Sequence, residues 1–145
     1  MVGYWDNPKA TEEAFADGWL RSGDIGVFDD EGFVFIVDRK KDMIVSGGEN
    51  IYSREVEEAL MAHPDVAEAA VVGRPDPRWG EAVVAFVVRR PGSTVSAEII
   101  DAHCRSAIAA YKRPKDISFI DALPKLPNGK IEKTKLREAL ARAKT

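Results

Sequence analysis

Leu123-Pro124-Lys125-Leu126-Pro127-Asn128-Gly129-Lys130-Ile131 is the stretch on which the reading of this chain turns. Two prolines fix φ on the approach, and Asn128-Gly129 favours a tight turn with positive φ. Such a loop aims one ammonium, that of Lys130, while its own backbone stays defined. An ammonium is a compact point charge suited to a phosphate or carboxylate oxygen. Taken alone, the loop reads more readily as a surface turn that contains a lysine. The segments before it reverse that reading.

Working back along the chain, residues 117–120 read as a strand, and Thr134 as the cap of a last helix carrying Leu136 and Leu140. Residues 96–111 form an amphipathic helix with Ile99, Ile100, Cys104, Ala107, Ile108 and Tyr111 on one stripe. Residues 66–73 and 82–88 are short β-branched runs of the kind found in buried central strands. Ser53 is placed to cap a helix over 54–62, with Glu55 favourable in its first turn, and His63-Pro64 stops it. Residues 43–52 are β-rich and kinked at Gly47-Gly48. Further upstream, residues 25–28 and 33–37 flank an acidic turn and predict a β-hairpin. Residues 11–15 are a short helix candidate. From the second helix onward the order α, β, β, α, β, α predicts a compact α+β domain, helices packed on a small mixed sheet.

Composition bounds the function. The chain has 145 residues, 45% hydrophobic and 31% charged, which suits one soluble globular domain with a short extension. No apolar run is long enough to span a bilayer, and no basic stretch followed by an apolar core marks a signal peptide. One cysteine excludes an internal disulfide and suits a reducing compartment, so a cytoplasmic location is expected. The single cysteine and two histidines lack metal-ligand spacing, and no metal site is assigned. Net charge is −3 but uneven: from Tyr111 onward ten Lys/Arg face four Asp/Glu. That bias fits an anionic ligand, although Arg142 and Lys144 read as a solvated helix end. Nucleic acid is excluded because no aromatic platform is interleaved with the charges.

Four ordered motifs then carry a resemblance. They are Gly3-Tyr4-Trp5-Asp6-Asn7-Pro8; Gly18-Trp19-Leu20-Arg21-Ser22-Gly23-Asp24-Ile25-Gly26; Asp38-Arg39-Lys40-Lys41-Asp42 running into Ser46-Gly47-Gly48-Glu49-Asn50-Ile51-Tyr52; and Pro124-Lys125 with Asn128-Gly129-Lys130. Together they resemble the C-terminal portion of the acyl-adenylate-forming superfamily, most closely its acyl- and aryl-CoA synthetase branch. The resemblance implies that residues 1–40 are the end of a large N-terminal domain, here an incomplete β-hairpin remnant expected to associate or be disordered. Residues 41–145 would be the mobile C-terminal domain. It also implies a longer synthetase whose phosphate loop and acyl pocket lie in the missing N-terminal domain, with this chain alone inactive. Such an enzyme joins a carboxylic acid, here expected to be a medium- or long-chain fatty acid, to coenzyme A, using ATP and Mg²⁺.

The resemblance also assigns residues. Lys130 is the adenylation lysine and a target for a protein acetyltransferase, since acetylation deletes its charge. Asp24 clamps the ribose hydroxyls of the nucleotide with its two acceptor oxygens, and Arg39 donates beside it. Lys41 is the hinge, in a segment where Asp38 stands in place of the glycine common in the family. Ser46, Gly47 and Gly48 line a pantetheine tunnel, where glycine permits close approach. Arg105 is a candidate for the coenzyme A phosphates, with Lys112, Arg113 and Lys115 as equals. Cys104, His63, His103, Trp19 and Trp79 read as structural. Two alternatives stand beside this: adenylation with transfer to a carrier protein, and a non-catalytic nucleotide- or partner-binding module.

Overall fold

The computed structural model describes residues 1–143, so Lys144 lies outside the described residues. The chain divides into two compact units, with the boundary between Lys41 and Asp42.

In the first unit, α1 (Pro8–Ala14) starts earlier than the sequence suggests. The reason is local: Asn7 Oδ1 accepts the Ala10 N–H at 3.0 Å, and Pro8 occupies the first helical turn, where a missing N–H costs nothing. Two short strands, β1 (Phe15–Ala16) and β2 (Trp19–Leu20), pair across Asp17-Gly18. Both turn residues have positive φ, as a two-residue hairpin demands. The expected hairpin follows as β3 (Asp24–Phe28) and β4 (Val34–Arg39). Asp29 Oδ1 accepts the N–H groups of Glu31 and Phe33 and shapes its turn. A register shift between Ile25 and Gly26 leaves Asp24 directly opposite Arg39. The apolar side chains of this unit are poorly covered: Phe28 is 75% and Trp19 80% exposed.

The second unit contains β5 (Ile44–Ser46), β6 (Glu49–Ile51), α2 (Ser53–Met61), β7 (Val66–Asp76) and β8 (Gly80–Arg89). After these come α3 (Ala97–Ala107), a 3-10 turn at Ala110–Lys112, β9 (Asp116–Phe119) and α4 (Lys133–Arg142). The sheet runs β6-β5-β8-β7, with β9 also paired to β8. The β8–β9 pairing is parallel and the others antiparallel, giving the mixed sheet that the pattern implies. From Ala82 to Val87 every residue of β8 is buried, so both faces of the strand need cover. Val83, Ala85 and Val87 meet Val56 and Leu60 of α2 and Ile100 and Cys104 of α3. On the other face, Val84 and Phe86 meet Leu123 and Leu136, with Leu140 packed alongside.

Four details differ from the sequence reading. Helix α3 ends at Ala107, because Ile108 turns extended with φ −137°. The buried stripe narrows to Ile100 and Cys104, an i, i+4 pair, and leaves Ile99 53% and Tyr111 44% exposed. Ser53 is the first residue of α2, with Tyr52 at the capping position, and α4 starts after Glu132 rather than at Thr134. Arg142, as expected of a solvated helix end, is exposed and among the described residues meets Glu138 at 3.6 Å.

Asp101 on α3 receives Arg105 Nη2 at 2.8 Å and Arg113 Nη1 at 2.9 Å, joining the helix to the segment before β9. The hydrogen bond from Arg105, aided by the Arg113 charge, holds the Asp101 carboxyl below its ordinary range. A depressed carboxylate contributes stability above its unfolded pKa of about 3.9 and loses it as pH falls through the folded value. The gap in unfolding free energy between wild type and Asp101→Asn is therefore expected to be flat from neutral pH down to about 5 and to close below about 4. Urea titrations at each pH check it. Leu60→Ala, which empties a fully buried site, should cost about 2–5 kcal/mol in the same assay. Ile99→Ala should stay within about 0.5 kcal/mol.

Candidate functional site

In the first unit the β3–β4 register brings two of the assigned residues together. Arg39 Nε donates to Asp24 Oδ1 at 3.1 Å, with Asp24 28% and Arg39 55% exposed at the side chain. The Ser22 hydroxyl accepts the Asp24 N–H at 3.1 Å and fixes the strand entrance. Among the described residues Asp24 Oδ2 has no hydrogen-bond donor, so one carboxylate oxygen is presented to solvent while the other is held. Beside it, Ser22, Gly23, Arg39, Lys40 and Lys41 line an open depression of about 380 Å³. Asp38 is buried, and its Oδ1 accepts the Arg39 N–H at 2.7 Å. That contact gives the Asp38 side chain a structural use. Lys41 is exposed at the unit boundary.

In the second unit Gly47 and Gly48 are the two turn residues of the β5–β6 hairpin, with φ of +62° and +85°. Positive φ at both positions is the type I′ requirement, and glycine meets it without strain. Ser46 is buried and pairs with Gly80 of β8. The Gly47 N–H donates to the Trp79 carbonyl at 2.8 Å, and a Cβ on Gly47 would stand 3.1 Å from the indole. Backbone pairing between β5 and β8 is thus sparse, and a side chain supplements it. Glu81 Oε2 accepts the Val45 N–H at 2.8 Å. The Glu81 carboxylate lies over Gly73, where a Cβ would come within 2.9 Å of its Cδ.

Trp79 is 39% exposed and not simply packed. The Arg78 guanidinium lies 4.7 Å and the Lys115 ammonium 5.6 Å from its ring. Aromatic surface, two cations and a close-approach glycine therefore adjoin. The sequence assigned Trp79 to packing, and Glu81 was not singled out at all. Of the four cations proposed for phosphate, Arg105 and Arg113 are bound to Asp101, and Lys112 donates to Glu55 at 2.6 Å. Glu55 raises the Lys112 pKa by that hydrogen bond. Among the described residues Lys115 has no carboxylate partner, which makes it the better placed of the four.

The lysine loop is a small hairpin of its own. The Leu126 N–H donates to the Lys130 carbonyl and the Gly129 N–H to the Leu126 carbonyl, both at 2.8 Å. Asn128 Oδ1 accepts the Lys130 N–H at 3.1 Å, and Gly129 takes φ +81°. Lys125 bridges to Ile131 and its ammonium reaches Glu68 of β7 at 2.7 Å. Lys130 is exposed, and among the described residues its ammonium has no partner. The loop is anchored to β7, whereas the glycine hairpin pairs with β8 on the side away from β7. The two groups therefore occupy opposite edges of the sheet.

Among the described residues, no group of three or more His, Cys, Asp or Glu side chains could hold a metal ion. No described helix is long and apolar enough to cross a membrane.

Comparison with known proteins bears out the fold. Residues 55–130, more than half of the chain, match the family described as the AMP-binding enzyme C-terminal domain. The chain is 49% identical over 135 residues to the long-chain-fatty-acid–CoA ligase FadD13 of Mycobacterium tuberculosis, covering 93% of this chain and 27% of that ligase. It superposes with a TM-score of 0.87 at 41% identity on the o-succinylbenzoate CoA synthetase of Bacillus subtilis bound to its acyl-adenylate, covering 94% of this chain and 28% of that one. The amide bond synthetase McbA of Marinactinospora thermotolerans gives a TM-score of 0.85 at 42% identity, covering 96% and 29%. The chain thus spans less than a third of the length of the relatives it matches. With the family match covering residues 55–130 and relatives at 49% identity over 93% of its length, the chain belongs to the AMP-binding enzyme C-terminal domain family.

Proposed function

We propose that this chain is the lysine-bearing, hinge-linked part of an AMP-forming acid–thiol ligase. The observation that carries the proposal is Lys130: an exposed ammonium with no partner among the described residues, at the end of a turn whose backbone is pinned on both sides. Asp24, with one oxygen held by Arg39 and one presented, fits a ribose diol. In the first half-reaction a carboxylate oxygen attacks the α-phosphorus of ATP, and the bond to the leaving pyrophosphate breaks. Lys130 would offset the charge gathering on the carboxylate and α-phosphoryl oxygens. In the second, a thiolate attacks the acyl carbon and AMP leaves. Gly47-Gly48 beside Trp79, with Lys115 near, would admit the thiol arm and meet the anionic end of coenzyme A. Rotation about Lys41, at the boundary of the two units, would exchange the two edges of the sheet.

The substrate class proposed is a carboxylic acid, with fatty acids favoured by the likeness to the mycobacterial ligase. Mg²⁺ is assigned to the phosphates of the nucleotide, since the described residues supply no carboxylate cluster for it. The acyl and phosphate-loop sites are assigned to a larger partner portion. Acetylation of Lys130 by an acetyltransferase would remove the charge on which adenylation depends. A second reading keeps adenylation and changes the acceptor to an amine or a carrier thiol; the likeness to an amide bond synthetase supports it.

Lys130→Ala in the complete ligase is expected to lower ATP–pyrophosphate exchange by on the order of 10²–10³, with transfer from supplied acyl-adenylate to coenzyme A nearly intact. Asp24→Asn should raise the KM for ATP in the same exchange assay. Unchanged exchange in Lys130→Ala would remove the lysine from the chemistry. Acyl-adenylate that forms but never reaches coenzyme A would move the acceptor to the second reading.

A further inference from the structure

Three residues after Lys130 stands a second lysine with the opposite environment. The Lys133 ammonium donates to Ser53 Oγ at 2.8 Å and meets Glu57 Oε1 at 2.7 Å. The side chains of Lys133 and Glu57 are each only 14% exposed, and Ser53 is fully buried. Glu57 Oε1 also accepts the Val71 N–H at 2.8 Å, a backbone donor on the edge of β7 that no strand pairs. Sheet edge, α2 and the first turn of α4 thus converge on one carboxylate and one ammonium. A buried ion pair of this kind is weak evidence for stability, because desolvation offsets most of the attraction. Its effect is geometric: it fixes where α4 begins.

We propose that Lys133, with Glu57 and Ser53, is the positioning device for Lys130. Only Ile131 and Glu132 separate the two lysines. Ile131 bridges to Lys125, and the Glu132 N–H donates to the Pro124 carbonyl at 2.8 Å, so neither offers slack. A displacement at Lys133 passes directly to the neighbouring turn. A second tie acts further along α4, where Arg137 Nη2 donates to Asp42 Oδ1 at 2.8 Å, next to the proposed hinge. The segment depends on such ties: α4 has ten residues, too few to persist undocked in water. The catalytic consequence rests on the function proposed above; the structural one does not.

Removing Lys133 alone strands a buried carboxylate and risks unfolding. The test therefore uses the double variant Glu57→Gln/Lys133→Met, which removes both charges, beside Lys133→Arg, which keeps both. Amide hydrogen exchange on the 145-residue chain is expected to show Leu126 and Glu132 exchanging roughly tenfold faster or more in the double variant, with the β8 amides that pair with β7 unchanged. In the complete ligase, ATP–pyrophosphate exchange should fall on the order of 10²-fold, while transfer from supplied acyl-adenylate to coenzyme A holds. Lys133→Arg should recover part of both effects. Unaltered exchange at Leu126 and Glu132, or equal loss of both half-reactions, would overturn the proposal. If the wild-type ligase forms no acyl-adenylate, the functional reading fails by itself, and the amide measurement still decides the tether.

Discussion

Strand β8 must be covered on both faces, and the rest of the second unit follows from that constraint. Ala82–Val87 is apolar without interruption, so alternate side chains leave the sheet in both directions. One face takes α2 and α3, and the other takes α4 with Leu123. The second requirement has the larger functional effect. Leu123 and Leu136 lie on either side of the lysine hairpin, so burying the even face of β8 also closes the ends of the segment that carries Lys130. Hydrophobic burial brings the loop to the sheet. The polar ties of Lys125, Lys133 and Arg137 set its exact placement.

Much of this was legible in the sequence, because the signals were local. Asn128-Gly129 takes its positive-φ turn, Gly47-Gly48 closes a two-residue hairpin, and the β-branched runs became β7 and β8. Misreadings arose where a tertiary choice overrode a local one. Ile99 and Tyr111 were placed on the buried stripe beside Ile100 and Cys104, but only that i, i+4 pair is buried on α3, and Tyr111 lies beyond the helix end at Ala107. Ser53 looked like a cap because serine commonly is one; its burial and its bond to Lys133 are set by a residue eighty positions away. The Asp24–Arg39 pairing depends on a register shift at Ile25/Gly26 that no spacing rule reveals. Glu81 and Trp79 were missed for the same reason. Their significance lies in what β5 places beside them.

The two proposed reaction surfaces are built differently. The lysine edge relies on side-chain ion pairs spanning distant parts of the chain. The glycine edge relies on a backbone turn, one carbonyl of Trp79 and one carboxylate of Glu81. Gly73 belongs to the second set although it lies on another strand, because only a residue without Cβ leaves room for that carboxylate. A single domain can thus keep two chemically distinct edges stiff without either sharing parts with the other.

The sequence separation of the lysine-edge ties has a kinetic consequence. The β7–β8 hairpin closes across a short turn, so it can form early from neighbouring residues. The ties from Lys133 to Ser53 and from Arg137 to Asp42 bridge 80 and 95 positions, and they bear load only once that hairpin and α2 are in place. The segment carrying Lys130 is therefore expected to dock late on the folding route, after the hairpin that its ties rest on.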